Sequence, residues 1–164
     1  MSEREASTNQ AVHKLHQYRA TCTWSGDTGQ GYEHYSRAHQ AQAAPTQAAL
    51  SLSADPAFRG DPKLLNPEQL LVIAAASCQL LSFLARAARA GVSVLSYIDC
   101  AEAVMPEDKT PIRITSIHLN PCIEVTSGPT EARVLELVRE AHQECYIANS
   151  LRSEIVVQAT IVFV

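Results

Sequence analysis

The sequence has no cluster of lysine or arginine residues. Its 13 basic residues are spread among 17 acidic ones over 164 positions, and the formal net charge is −4. A protein that binds nucleic acid or an anionic membrane needs a basic patch that attracts phosphate groups. We therefore expect no nucleic-acid partner and no membrane partner.

We also expect no targeting segment. Residues 1–12 are polar and lack the apolar core of a secretory signal peptide, so we expect a disordered N-terminal tail there. The longest uncharged run, residues 69–85, is short for a helix that spans a bilayer. Because no repeat or linker divides the rest, residues 13–164 are predicted to form a single domain of a cytoplasmic protein.

The five cysteines are odd in number and irregularly spaced. This argues against the disulfide framework of a secreted protein and favours thiols that stay reduced until they react. No His/Cys group, including His34 and His39, has the spacing of a zinc site, so we expect no metal. Cys22, Cys100 and Cys122 lie on predicted strands, where a free cysteine is expected to be a small buried hydrophobic residue.

The order of predicted elements is typical of an α+β fold. Stretches of alternating polarity indicate strands, and two longer stretches with helical periodicity indicate helices. Together they predict an antiparallel sheet over two helices. Strands are expected at residues 13–24, 32–37, 50–52, 92–105, 112–125 and 154–164, helices at 66–90 and 130–145, and a functional loop at 54–65.

The first predicted helix has well-marked ends. Asn66 suits the N-cap, Pro67 suits the first helical position, and Glu68 favours the positive end of the helix dipole. Gly91 suits the position after the last turn. The helix is apolar on opposite faces, and the small residues 74–77 permit close approach of another backbone. We therefore expect a second subunit to cover one face, which makes the protein a homodimer.

Two cysteines, Cys78 and Cys145, are each predicted on the apolar stripe of a helix, where a thiol faces the core or another thiol. The two stripes comprise Leu71, Ala74, Ala75, Cys78, Leu81, Ala85 and Ala88 in the first helix and Val134, Leu137, Val138, Ala141 and Cys145 in the second. The pair is a candidate two-cysteine redox site.

Two segments resemble the signature motifs of the OsmC/Ohr family of thiol-dependent peroxidases. One is Asn66-Pro67-Glu68-Gln69-Leu70, with Cys78 following ten residues after the glutamate, and the other runs from Cys145 to Asn149-Ser150-Leu151. The resemblance implies an α+β, OsmC-like fold, with antiparallel sheets wrapped around central helices in an intertwined homodimer. It also implies active sites at the subunit interface.

The same resemblance implies a reaction that reduces organic hydroperoxides to alcohols. Cys78 would be the peroxidatic cysteine and Cys145 the resolving cysteine, and the two would end the reaction as a disulfide. No bound cofactor is implied. The reductant would be an external dithiol, of the lipoyl type or carried on a lipoylated protein.

A thiolate at Cys78 needs a cation beside it, because burial alone raises the pKa of a thiol. An arginine is suited to this role, since it stays charged when partly buried. The resemblance makes Glu68 the carboxylate that orients the arginine, but ten residues of straight helix place Glu68 roughly 15 Å from Cys78. Glu68 is therefore expected to act across the dimer interface or through a long arginine. Arg37 and Arg59 both remain candidates for that arginine.

A non-enzymatic role is the alternative interpretation. Gln79 follows Cys78, and Tyr146 follows Cys145, where many family members have an aromatic residue and a proline respectively. A dimer of the same fold could instead bind an apolar small molecule or sense the redox state. A peroxidase needs Cys78 and Cys145 within bonding range, with an arginine beside Cys78. A binding protein needs neither.

Overall fold

The computed structural model describes residues 14–164, within which the chain forms nine strands and three α-helices. The predicted tail at residues 1–12, and the first residue of the predicted strand 13–24, lie outside the described residues. The strands are β1 (Arg19–Thr23), β2 (His39–Ala44), β3 (Ala49–Leu52), β4 (Val94–Asp99), β5 (Glu102–Val104), β6 (Ser116–Leu119), β7 (Pro121–Val125), β8 (Glu154–Val157) and β9 (Thr160–Phe163), and the helices are α1 (Pro67–Arg89), α2 (Glu131–Glu144) and α3 (Tyr146–Ser150).

The α+β class is confirmed, but three predicted strands each break into two. The segments 92–105, 112–125 and 154–164 become β4 and β5, β6 and β7, and β8 and β9. At each break the chain passes between a sheet of order β4-β7-β9 and a sheet of order β5-β6-β8. Side-chain hydrogen bonds support the first two breaks: Asn120 donates its backbone N–H to Asp99 Oδ1 at 2.7 Å and its Nδ2 to the Cys100 carbonyl at 3.0 Å.

The two C-terminal sheets are mixed rather than wholly antiparallel. Strands β4 and β7, and β5 and β6, pair antiparallel, whereas β6 pairs parallel with β8 and β7 pairs parallel with β9. The parallel pairs follow from the position of α2, because a helical crossover between strands returns the chain in the same direction. The third sheet, β1-β2-β3, is antiparallel throughout.

Both helix starts are confirmed. Asn66 caps α1 and forms a capping box with Gln69, in which each side chain accepts a hydrogen bond from the other residue's backbone N–H, at 2.8 and 3.0 Å. Thr130 caps α2 by accepting from the backbone N–H of Arg133 at 3.2 Å. Gly91 follows α1 with φ +69°, the left-handed conformation that glycine adopts without strain.

The buried face of α1 differs from the predicted stripe. The residues Ala75, Gln79, Phe83 and Ala87 are buried, and Phe83 and Ala87 pack with α2 and β7 in the main core. Leu81, predicted to be buried, is 63% exposed, and Cys78 is half-buried. Periodicity could not choose the face because α1 is apolar all round. Its exposed side forms a continuous stripe, which we call the outer stripe: Ile73, Ser77, Leu81, Leu84 and Ala88.

Helix α1 has 23 residues and, by length and composition alone, is apolar enough to cross a membrane. The uncharged run at residues 69–85, which by itself is short for a bilayer span, is only part of this helix. Core helices of soluble proteins pass the same test. The absence of a membrane partner therefore stays a prediction.

The expectation that Cys22, Cys100 and Cys122 are buried is wrong for the single chain. All three are exposed. Every residue of β1 is exposed, which includes Cys22. Cys122 lies on the outer face of β7, where it alternates with the buried residues Pro121 and Ile123.

Candidate active site

The two predicted redox cysteines lie together. Cys78 is on the middle of α1, and Cys145 lies between α2 and α3, where its side chain is a neighbour of the Cys78 thiol. Both are free thiols. Cys145 is only 1% exposed, whereas Cys78 is half-buried. The pair thus consists of one accessible thiol, Cys78, and one buried thiol, Cys145.

Cys145 does not continue the apolar stripe of α2 as a helical residue. It has φ −67° and ψ 111°, so it ends α2 and caps α3, with its Sγ accepting from the Ala148 N–H at 3.4 Å. Asn149 fixes this junction, because its Nδ2 lies 2.9 Å from the Gln143 carbonyl and 3.0 Å from the Cys145 carbonyl. The asparagine of the second motif therefore holds the turn that presents Cys145 to Cys78.

The buried thiol is held in its protonated form. Burial, and after it the neighbouring Cys78, raise the pKa of Cys145 to about 11, against the lowering effect of the Ala148 N–H. At neutral pH Cys145 is therefore a thiol, and it becomes a good nucleophile only when its proton can leave.

Cys78 opens onto a cavity of about 470 Å³. Its walls are mainly small or apolar, with two charged residues among them, and are formed by Ala74, Ser77, Cys78, Leu81, Ser82, Ala85, Arg89, Glu144, Tyr146 and Ile147. Part of the wall is the outer stripe of α1, so the cavity lies on the exposed side of that helix. An apolar molecule can reach the Cys78 sulfur from this side.

Glu68 lies away from Cys78 within one chain. Among the cavities that Glu68 lines, one of about 420 Å³ also has Arg37 and the aromatic residues Trp24 and Tyr35 in its wall. Glu68 does not line the cavity at Cys78. This agrees with the helix geometry, because the two side chains are ten positions apart along α1.

The two candidate arginines have different surroundings. The Arg37 guanidinium is half-buried, donates to the carbonyls of Tyr35 and Tyr32, and shares a cavity with Glu68. Arg59 instead forms an ion pair with Glu33, and its side chain is 50% exposed. Of the two candidates, Arg37 and not Arg59 therefore shares a cavity with Glu68.

The sequence model of the OsmC-like protein family matches residues 60–160, which contain Glu68, Cys78 and Cys145. The protein belongs to the OsmC-like family. No curated protein has significant similarity to the chain.

Solved structures of OsmC-like proteins have the same fold. An OsmC-like protein of unknown function from Vibrio cholerae is 28% identical, with a TM-score of 0.80 over 89% of this chain and 100% of that one. Organic hydroperoxide resistance proteins from Elizabethkingia anophelis and Legionella pneumophila are each 18% identical, with TM-scores of 0.68 and 0.65. The match to the first covers 93% of this chain and 100% of that one, and the match to the second covers 90% and 98%.

Two polar residues of this OsmC-like protein that were not predicted from the sequence lie on β4, and one of them, Tyr97, is near Cys145. Tyr97 and Asp99 are two residues apart on β4, so they share one face of the strand. Burial is the largest cause that raises the pKa of Tyr97, and the charges of Asp99 and Cys145 raise it further. Burial also raises the pKa of Asp99, against the Asn120 N–H bond that lowers it. The sequence feature that could have indicated them is two polar side chains, two positions apart, on a predicted strand.

No group of three His, Cys, Asp or Glu side chains among residues 14–164 is arranged to hold a metal ion. His34 is exposed, and the Nδ1 atom of His39 lies 2.9 Å from the Arg37 carbonyl. The candidate site therefore consists of the two thiols and the cavities that Cys78 and Glu68 line.

Proposed function

We propose that this OsmC-like protein is a thiol-dependent peroxidase that reduces organic hydroperoxides to alcohols. The observation that carries the proposal is the contact between an accessible thiol, Cys78, and a buried thiol, Cys145. Organic hydroperoxide resistance proteins share the fold, which is consistent with this activity.

In the first step the Cys78 thiolate attacks the distal oxygen of the hydroperoxide. The O–O bond breaks, an S–O bond forms, and the departing alkoxide takes a proton to become the alcohol. Cys78 is left as a sulfenic acid. Its half-buried position on the wall of the cavity supports this assignment, since the attacking sulfur must meet the peroxide.

In the second step the Cys145 sulfur attacks the sulfenic sulfur of Cys78. The S–S bond forms, the S–O bond breaks, and the leaving hydroxide combines with the Cys145 proton to give water. Cys145 suits the resolving role because it is 1% exposed and meets Cys78 before it meets solvent. An external dithiol of the lipoyl type, free or on a lipoylated protein, then exchanges with the disulfide and restores both thiols.

The catalytic unit in this proposal is a homodimer. The outer stripe of α1 presents Leu81, which is 63% exposed, on the same side as the Cys78 cavity. The β1-β2-β3 sheet is largely exposed on both faces, and a small sheet needs a packing partner for stability. A second copy of the chain that covers both surfaces would supply that partner.

In such a dimer, Arg37 and Glu68 of one subunit act on Cys78 of the other. Glu68 orients the Arg37 guanidinium, and the guanidinium stabilises the thiolate. Arg37 is preferred to Arg59 because it shares a cavity with Glu68, while Arg59 is paired with Glu33. The apolar walls beside Cys78 favour organic over hydrogen peroxide, since a larger alkyl group buries more apolar surface.

The proposal is tested by steady-state consumption of cumene hydroperoxide with dihydrolipoamide as the reductant. Wild type and Cys100→Ser are expected to turn over at similar rates, because Cys100 is exposed and is not among the residues that line the Cys78 cavity. Cys78→Ser is expected to be inactive. Equal turnover by Cys78→Ser and wild type would refute the proposal.

A further inference from the structure

The guanidinium of Arg37 is enclosed by two tyrosines of its own loop. Its Cζ atom lies 3.8 Å from the ring centroid of Tyr35 and 4.5 Å from that of Tyr32, both within cation–π range. The same two residues bind the guanidinium edge, because Nη1 donates to the Tyr35 carbonyl and Nη2 to the Tyr32 carbonyl. We call Tyr32 and Tyr35 the tyrosine clamp.

The tyrosine clamp is itself anchored by aromatic contacts. The Tyr35 ring meets Tyr32 at 6.2 Å and Trp24 at 6.1 Å between centroids, edge to face in both pairs. Trp24 follows β1, and its Nε1 donates to the Ser36 carbonyl at 2.7 Å. The loop between β1 and β2 is thus tied across its base, and Tyr35 of the clamp lies at the wall of the cavity that Arg37 shares with Glu68.

A free arginine side chain populates many rotamers, and a reaction that needs one of them must first select it. Stacking on Tyr35 and donation to two carbonyls remove most of this freedom before any substrate binds. The two engaged Nη atoms leave other guanidinium N–H groups as donors. An arginine held in this way can therefore still meet a carboxylate and a thiolate.

We propose that Tyr35, with Tyr32, is a positioning residue that orients Arg37 for activation of Cys78. This inference rests on the proposed function, which assigns the activating role to Arg37. Tyr35 makes the larger contribution, because its ring is closer to the guanidinium and half-buried, whereas Tyr32 is 55% exposed.

The test measures two properties of the full-length protein. The first is the second-order rate of peroxide reduction, and the second is the pH dependence of Cys78 alkylation by iodoacetamide in a Cys145→Ser background. Tyr35→Leu removes the aromatic face and is expected to slow peroxide reduction on the order of fivefold and to shift the alkylation profile to higher pH. Tyr35→Phe keeps the face and is expected to stay close to wild type. Tyr18→Leu is the matched control, since Tyr18 is 90% exposed.

A double variant separates positioning from general destabilisation. If Tyr35 acts through Arg37, adding Tyr35→Leu to Arg37→Ala causes no further loss of rate, whereas a purely structural effect adds a loss of its own. If Arg37→Ala reacts slowly but Tyr35→Leu reacts as fast as wild type or faster, the positioning role of the tyrosine clamp is refuted and the proposed role of Arg37 stands. If Arg37→Ala reacts as fast as wild type, both the role of Arg37 and the role of the clamp are refuted.

Discussion

The Cys145 thiol lies beside the Cys78 thiol, and the two differ sharply in their access to solvent. Cys78 opens onto a cavity, while Cys145 is 1% exposed and fixed at the junction of α2 and α3. This difference assigns the order of events in the proposed reaction. The accessible sulfur meets the peroxide, and the buried sulfur can then reach only the oxidised Cys78.

Replacing the resolving cysteine should trap the first product. Cys145→Ser is expected to consume about one peroxide per site and then stop, because the serine hydroxyl does not displace the sulfenic oxygen. A dimedone adduct at Cys78 should form in this variant and be scarce in wild type. If Cys145→Ser shows no sulfenic acid while wild type turns over, Cys78 is not the peroxidatic residue.

The two arginines should differ in their effect on catalysis. Arg37→Ala is expected to lower the peroxide reaction rate on the order of tenfold or more, since loss of the neighbouring cation leaves less of the Cys78 sulfur as the reactive thiolate. Arg59→Ala removes an exposed ion pair with Glu33 and should change the rate little. Stopped-flow kinetics on both variants measures this. The reverse ranking would assign activation to Arg59.

The capping box at the start of α1 should contribute measurably to stability. Asn66→Ala is expected to lower the free energy of unfolding by about 1–2 kcal/mol, because the Gln69 N–H loses its acceptor. Asn66→Ser keeps a capping oxygen and should lose less. Urea unfolding of the three proteins gives the comparison, and equal stability of all three would contradict the role of the cap.

The buried carboxyl of Asp99 should make stability depend on pH. Burial raises its pKa in the folded state above the ordinary value of 3.8. Its contribution to stability is therefore full below pH 3.8 and is lost as the pH rises through the folded-state pKa. Asp99→Asn still accepts from the Asn120 N–H and does not ionise, so it should gain stability relative to wild type between acid and neutral pH.

The measurement is the urea midpoint of both proteins at pH 4 and pH 7, about the range over which a buried carboxyl ionises. The difference between variant and wild type isolates Asp99 from other titrating groups. If the stability of Asp99→Asn relative to wild type instead falls as the pH rises, the folded protein prefers the ionised carboxylate.

The outer stripe of α1 should be the dimer contact. Leu81→Glu introduces a charge at its centre and is expected to shift the protein from dimer to monomer in light scattering, because an unpaired charge cannot be buried at low cost. Peroxidase activity should fall with the dimer. Leu15→Glu, which changes a leucine that is 81% exposed outside α1, is the control. A Leu81→Glu dimer of wild-type activity would place the contact elsewhere.

The helix ends could be predicted from the sequence because capping is local. Asn66, Thr130 and Gly91 act on backbone groups within a few residues. The strand breaks could not, since alternation gives the face of a strand and not the sheet it joins. Asn120 marks one break only through its bonds to Asp99 and Cys100, which are distant in sequence.

For the candidate site, too, local features could be predicted from the sequence and tertiary features could not. The motifs around Cys78 and Cys145 predicted the pair of thiols, and the structure brings them together. The choice between Arg37 and Arg59 depends on how two loops fold, and neither loop has a repeating pattern. The tyrosine clamp had a visible signal, in that Tyr32, Tyr35 and Arg37 lie within six residues, but their stacking is a tertiary feature.

The most direct test of the account is intact mass with peptide mapping after one equivalent of cumene hydroperoxide. Wild type should lose two hydrogen atoms, mapped to a Cys78–Cys145 disulfide, and Cys78→Ser should not form it. A wild-type protein that emerges unmodified, or that oxidises as readily at Cys22 or Cys100, would contradict the two-cysteine mechanism.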